Sequence, residues 1–347
     1  MGRGVELGGI VIAIGFVMKI YSCDHCGNPL YFENNQCLNC GRSVGFDPGS
    51  LAMHTLKAGG PYRYCKNAEY GVCNWLVGGG DGAYCVACEL NRTIPALEKE
   101  DNLRLWKSIE VAKHRLIYSL LRLRLPFRGS EDLVFDFLAD GSSKVMTGHE
   151  QGVITLNIEE ADEAARVRNR LDLGERYRTL LGHFRHESGH YYWDLLVRDR
   201  GLVEGFGRLF GDEQADYGVA LQAYYSNGAP ADWMQRFISP YATSHPWEDW
   251  AETWAHYLHM MDTLETAWAF GIRINAVEVE EEAGIRANVV QDPYEVRSFD
   301  RIIKGWLPLC FAVNSLNRSM GHGDFYPFVL SAPVVEKLRF IHGVVNG

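Results

Sequence analysis

The stretch Phe184–Leu196, FRHESGHYYWDLL, sets His186 and His190 four residues apart, with Glu187 directly after the first histidine. Residues four apart on an α-helix share a face, so the two imidazoles can hold one ion together. Glu187 lies about 100° around the helix from His186, off the ligand stripe but within reach of a water beside the ion. Two neutral imidazoles, a carboxylate base and one open metal position are the requirements of a hydrolytic zinc site. The pentapeptide HESGH supplies the imidazoles and the base. A third ligand must come from elsewhere in the chain.

The best source is Ser239–His259, SPYATSHPWEDWAETWAHYLH. Proline is well tolerated in a first helical turn, so Pro246 is expected to open a helix reaching about Met261. Glu248 and Glu252 then share one face, one to bind zinc and the other to hydrogen-bond a ligand histidine. His256 continues that stripe and His259 lies close to it. Trp247, Trp250 and Trp254 flank the acidic pair and imply burial. Buried carboxylates need partners, and a cation is one.

Eight of the nine cysteines lie between Cys23 and Cys88. Cys23, Cys26, Cys37 and Cys40 form two Cys-x2-Cys knuckles separated by ten residues, the spacing of a structural zinc ribbon. Gly27 and Gly41 each follow a knuckle, where the tight turn favours a residue without Cβ. Cys65, Cys73, Cys85 and Cys88 are expected to form a second four-cysteine zinc site. Four thiolates leave no open position, so both sites read as structural. Cys310, within WLPLCFAV, reads as a buried core residue.

At 347 residues the chain exceeds one typical domain. The formal net charge is −10, which argues against non-specific binding to a phosphate backbone. Four segments follow. Residues 1–17 are an apolar extension. The run GGIVIAIGFVM (8–18) is too short to span a bilayer and no small-x-small cleavage site follows it. Translation from Met18 and a cytoplasmic location are the expectation. Residues 18–95 are the zinc-ribbon region. Residues 96–128 carry eight basic against four acidic side chains and read as a helical, basic linker. Residues 129–347 carry 19 basic against 33 acidic and form the main domain.

In that domain, strands are expected at 133–138 and 152–158. Helices are expected over 159–171, from about Gly174 through the histidine motif, and over 212–225. The strand 152–158, preceded by His149, is a candidate rail for an extended substrate. His183 lies one turn before His186 and reads as a packing residue. Asp194 either hydrogen-bonds His190 or faces water. Asp212, Glu213 and Asp216 read as a solvated acidic face.

HESGH with a later ExxxE helix resembles the gluzincin branch of the zincin metallopeptidases. The whole layout, cysteine-rich ribbon and then HExxH domain, is similar to a bacterial family of zinc-binding metallopeptidases with an N-terminal zinc ribbon. The resemblance implies an α+β fold, with a zinc-ribbon region of two four-cysteine sites followed by a zincin-like domain. It implies Glu248 as third ligand, Glu252 as its supporting neighbour, and Tyr241, seven residues before Glu248, as the group that stabilises the oxyanion. The activity implied is hydrolysis of peptide bonds by a zinc-activated water with Glu187 as general base. One catalytic and two structural zinc ions, a peptide or protein substrate and a protein partner at the ribbons go with it. The alternative is a zinc-ribbon adaptor for protein or nucleic acid, its histidine site structural or vestigial. That reading draws on the basic stretch Arg104, Lys107, Lys113, Arg115, Arg122, Arg124 and Arg128.

Overall fold

The computed structural model describes residues 19–99, 101–127, 132–141, 144–164, 166–167, 179–277 and 285–347. The apolar run 8–18, Arg128, much of the helix expected over 159–171 and the helix start expected near Gly174 lie outside the described residues.

The cysteine-rich region is built from short antiparallel ladders. Tyr21–Ser22 pairs with Pro29–Leu30, Val44–Asp47 with Ala52–Thr55, and Arg63–Tyr64 with Leu76–Val77. One helical turn, α1 (Val86–Glu89), starts from Cys85 and contains Cys88. Gly27 and Gly41 have φ of 71° and 69°. Their amides close the knuckles by donating to the carbonyls of Cys23 (2.9 Å) and Cys37 (2.8 Å). A side chain at either position would be strained there, which is why glycine follows each pair.

Helix α2 (Asn102–Arg122) buries Leu105, Trp106, Ile109, Ala112, Leu116, Ile117 and Leu120, a three-and-four spacing that lines one face. The linker expected over 96–128 is therefore corrected: its helical part is a core element. Tyr118 of α2 packs edge-on against Phe32 at 5.3 Å, so the ribbon and α2 share one apolar core. Arg104 and Lys107 at the start of α2 are exposed, whereas three basic side chains further along it are engaged internally. Lys113 pairs with Glu110 at 2.8 Å, both fully buried. Arg115 pairs with Glu33, and Arg122 with Glu265 (2.8 Å) and Asp292 (2.5 Å).

A four-stranded sheet lies beside α2. Its strands are β1 (Asn91–Thr93), β2 (Val134–Leu138), β3 (Gly148–Glu150) and β4 (Val153–Asn157), in the order β1-β2-β4-β3. The β1–β2 and β2–β4 pairings are parallel and β4–β3 is antiparallel. Gln151 and Gly152, both at positive φ, form the two-residue hairpin that joins them. The expected substrate rail needs correction. Strand β4 is interior, and the edge strands are β1 and β3, the latter carrying His149.

The remaining helices are α3 (Leu180–Trp193), α4 (Val203–Phe210), α5 (Tyr217–Asn227), α6 (Pro246–Ala269), α7 (Phe299–Ser319) and α8 (Ala332–Asn346). Cys310 is buried on α7, where desolvation pushes its thiol up to about 12. Helix α5 starts at Tyr217 rather than Asp212, because Asp216 caps it by accepting from the Val219 amide at 2.9 Å. No helix among the described residues is long and apolar enough to cross a membrane.

Candidate metal centre

Helices α3 and α6 cross at very close range. The Trp250 indole donates to the Gly189 carbonyl at 2.8 Å, and the Trp254 indole donates to Ser188 Oγ at 3.2 Å. Both tryptophans are fully buried. The two middle residues of HESGH are thus the contact face, which leaves His186 and His190 turned toward the acidic pair. Pro246 occupies the first turn of α6, and the His245 ring accepts from the Trp247 amide at 3.1 Å, so the helix begins one turn ahead of the crossing.

His186, His190 and Glu248 each bring a ligand-capable atom to within 4.8 Å of the others. Glu248 Oε2 lies 3.0 Å from His186 Nε2 and 3.6 Å from His190 Nε2. The second glutamate takes a different place. Glu252 Oε1 accepts from His186 Nδ1 at 2.7 Å, and its Oε2 accepts from Ser239 at 2.6 Å. Glu248 therefore meets the outward nitrogens of both rings, while Glu252 grips the back of one.

Burial works to raise the Glu248 carboxyl, but the nearby charges of His190 and His186 outweigh it and hold the group well below the usual carboxylate range. Burial disfavours charge on His186, and the two glutamates outweigh that, raising it well above an ordinary histidine. Glu248 Oε2 is buried and receives no hydrogen bond from the described residues. Leaving such an oxygen unmatched is costly. Two imidazole nitrogens and one carboxylate oxygen around that point are the donor set that zinc takes in hydrolytic sites, so the residues fit the ion.

Glu187 is half-buried and has no hydrogen-bond or ion-pair partner among the described residues. Its charge helps raise the hydroxyls of Tyr217 and Tyr241, though burial is the larger cause in both. Tyr241 packs with its ring 5.9 Å from that of His186. Tyr217 was not singled out by sequence reasoning. Its hydroxyl donates to Glu248 Oε1 at 2.6 Å, reaching over the site from the start of α5. The Asp216 cap just before it was the readable sign of a helix start, but nothing in the sequence ties that start to Glu248.

Other candidates fall away from the cluster. His183 pairs with Glu160 at 3.0 Å. Asp194 pairs with Arg198, and His190 Nδ1 stays buried without a hydrogen-bond partner among the described residues. His256 accepts or donates at Nδ1 with the Tyr326 hydroxyl, 2.9 Å away, and burial pushes it down to about 4. His259 contacts Arg185, and burial likewise lowers it. Asp212 and Asp216 cap local turns. His149, on the edge strand, stacks 6.3 Å from His190, and burial followed by the His190 charge pushes it down to about 4.

The eight ribbon cysteines are free thiols in two groups, Cys23, Cys26, Cys37, Cys40 and Cys65, Cys73, Cys85, Cys88. Sulfur–sulfur distances of 3.6 Å (Cys26–Cys37), 3.9 Å (Cys23–Cys40) and 3.8 Å (Cys73–Cys85) match the edge of a tetrahedron. With zinc–sulfur bonds of about 2.3 Å, that edge is about 3.8 Å.

A family model described as "Putative zinc-binding metallo-peptidase" matches residues 102–344, and a model of a zinc-ribbon domain matches residues 20–99. Uncharacterized proteins of Mycobacterium tuberculosis and Mycobacterium bovis are 42% identical to this chain over 336 residues, which span 95% of it and 96% of each relative. No solved structure matches.

Proposed function

We propose that this chain, which belongs to the family described as "Putative zinc-binding metallo-peptidase", hydrolyses peptide bonds with one zinc ion held by His186, His190 and Glu248. The observation that carries the reading is Glu248 Oε2, a buried oxygen without a donor among the described residues, facing Nε2 of both imidazoles. When bound, zinc would lower the pKa of water to about 7 and polarise the scissile carbonyl.

The chain's own groups do the rest. Glu187, partnerless beside His186, takes a proton from the attacking water and delivers it to the leaving amine. Glu252 holds His186 through Nδ1, which fixes the ring and leaves Nε2 for the ion. Tyr241 keeps its proton well above neutral pH and donates to the carbonyl oxygen as charge develops there, while Tyr217 donates to Glu248 Oε1 and holds that carboxylate in place. The free edge of β3 offers backbone groups to an extended peptide. The two cysteine groups hold structural zinc, for a total of one catalytic and two structural ions.

Glu187→Gln tests this directly. The variant should retain three zinc ions per chain by elemental analysis while peptide cleavage falls by at least about a hundredfold, the lower range for loss of a general base. His186→Ala should retain two. Cleavage by Glu187→Gln at the wild-type rate, or a wild-type chain without the third ion, would overturn the assignment.

A further inference from the structure

His114 stands outside the site described above, yet it is 4% exposed and aimed at metal-ligand atoms. It sits on α2, within the part of the chain that matches the peptidase family, and its ring enters the ribbon. Nε2 lies 3.3 Å from Cys73 Sγ and 3.9 Å from Cys88 Sγ. Nδ1 lies 2.6 Å from the Glu110 carbonyl oxygen. A carbonyl only accepts, so Nδ1 donates, and that bond locks the ring with Nε2 against the sulfurs; Nε2 can donate as well only from the imidazolium, the form that metal-bound thiolates facing it favour. Trp75 meets the ring edge-on at 4.9 Å and closes the other side.

Four thiolates around a divalent ion leave an excess of negative charge in a buried cage. Such sulfurs need donors. Cys73 has one in the Trp75 amide at 3.4 Å. Glu110, 4.0 Å from Cys88, adds no net burden because Lys113 neutralises it at 2.8 Å. His114 is the donor that arrives from the other domain. The same helix continues to Tyr118, which donates to Glu265 at 2.7 Å, and Ser119, which donates to Asp262 at 2.7 Å. Asp262 in turn pairs with Arg185, the neighbour of His186.

We propose that the second four-cysteine site is a joint between the two domains, in which His114 donates from Nε2 to Cys73 and fixes the first helix of the peptidase domain to the metal that the ribbon holds. His114 is a positioning residue for that metal, not one of its ligands. The proposal rests on the reading of Cys65, Cys73, Cys85 and Cys88 as a metal site, which counting ions tests separately.

The experiment uses the full-length chain loaded with zinc, or with cobalt as a spectroscopic probe. Chelator-driven release is followed for wild type, His114→Leu and His114→Gln, with Cys85→Ser to identify the phase belonging to the second site. His114→Leu should still bind three ions at saturation. Its second-site ion should leave about tenfold faster or more, the usual cost of removing a group that supports a ligand. The thiolate-to-cobalt charge-transfer band should shift, while the release phases of the other two sites stay put. His114→Gln, which keeps an N–H donor of similar reach without the charge, should recover part of the loss. If His114→Leu fails to fold, His114→Met serves as the second donor-free side chain. Release and spectrum unchanged in the donor-free variant would refute the joint. A wild-type chain whose ion count does not fall in Cys85→Ser would remove the metal reading itself, and the joint with it.

Discussion

Gly189, inside the HESGH motif, marks the closest approach of α3 and α6, and replacing it with alanine tests the crossing that builds the site. A Cβ there would lie 2.9 Å from the Ala251 Cα, 3.1 Å from Trp254 Cδ1 and 3.3 Å from Trp254 Cβ. Comfortable carbon contacts are about 3.5–4.0 Å. The nearest obstacle is helix backbone, so the helices must separate by roughly half an ångström. Overpacking of this kind costs about 1–3 kcal/mol. Alanine returns up to about 1 kcal/mol through its higher helix propensity. The net expectation is a loss of about 1–2 kcal/mol, read as a drop of a few degrees in Tm. Gly207, on α4 with nothing within 4 Å of an added Cβ, is the internal control. Gly207→Ala should hold or raise Tm.

The same separation pulls His190 and Glu248 apart, because they sit one residue and one turn from the contact. Thermal unfolding with zinc and with chelator therefore distinguishes two effects. Packing loss appears in both conditions, and weakened metal binding appears as a smaller gain on adding zinc. If Gly189→Ala melts at or above wild type with its zinc gain intact, the helices do not meet as described.

Three further outcomes are expected. Glu252→Ala should leave the third ion bound at saturation but weaken it about 10–100-fold in chelator competition, because the His186 ring loses its Nδ1 partner; unchanged affinity would remove Glu252 from its supporting role. His256, held at about 4 by burial against an unfolded value near 6.5, favours the unfolded chain when protonated, so its contribution is whole above pH 6.5 and is lost as pH falls toward 4. That loss is about 3 kcal/mol, and urea unfolding of His256→Gln across the window should show a correspondingly shallower slope than wild type. Lys337→Met should destabilise by about 3–5 kcal/mol, since it strands Asp249, whose carboxylate accepts from Lys337 at 2.5 Å in a buried pair. The double variant with Asp249→Asn should recover much of that in the same denaturation assay.

How much of this was legible depended on whether the cause was local. The knuckles announced themselves through Cys-x2-Cys followed by glycine, because the turn and its φ are set within five residues. Strands 134–138 and 153–157 lie within a residue of expectation at each end, the first as a short apolar run and the second through its alternation. Strand β1, Asn-Arg-Thr, was invisible: it is three residues long, only Thr93 favours a strand, and pairing with β2 is what makes it one. The linker reading of α2 failed for a related reason. Its basic side chains were grouped as one basic stretch, but Arg115 and Arg122 find Glu33, Glu265 and Asp292 far along the chain. The readable warning was Glu110 and Lys113, an i,i+3 pair set among apolar residues.

The choice between Glu248 and Glu252 shows where a sequence argument stops at this site. Spacing places both on one face of α6, and both do reach His186, one at each ring nitrogen. Which of them also meets His190 depends on how α6 is rotated and where it crosses α3. Those are set by contacts remote in sequence: the indoles of Trp250 and Trp254 on Gly189 and Ser188, and Ala251 against Gly189. The crossing falls between the two glutamates. Glu248, on the N-terminal side of Ala251, comes to lie between the two Nε2 atoms, and Glu252, on the C-terminal side, comes to lie behind His186. An i,i+4 acidic pair can therefore identify a site but cannot order its members, because the order is decided by the angle between two helices.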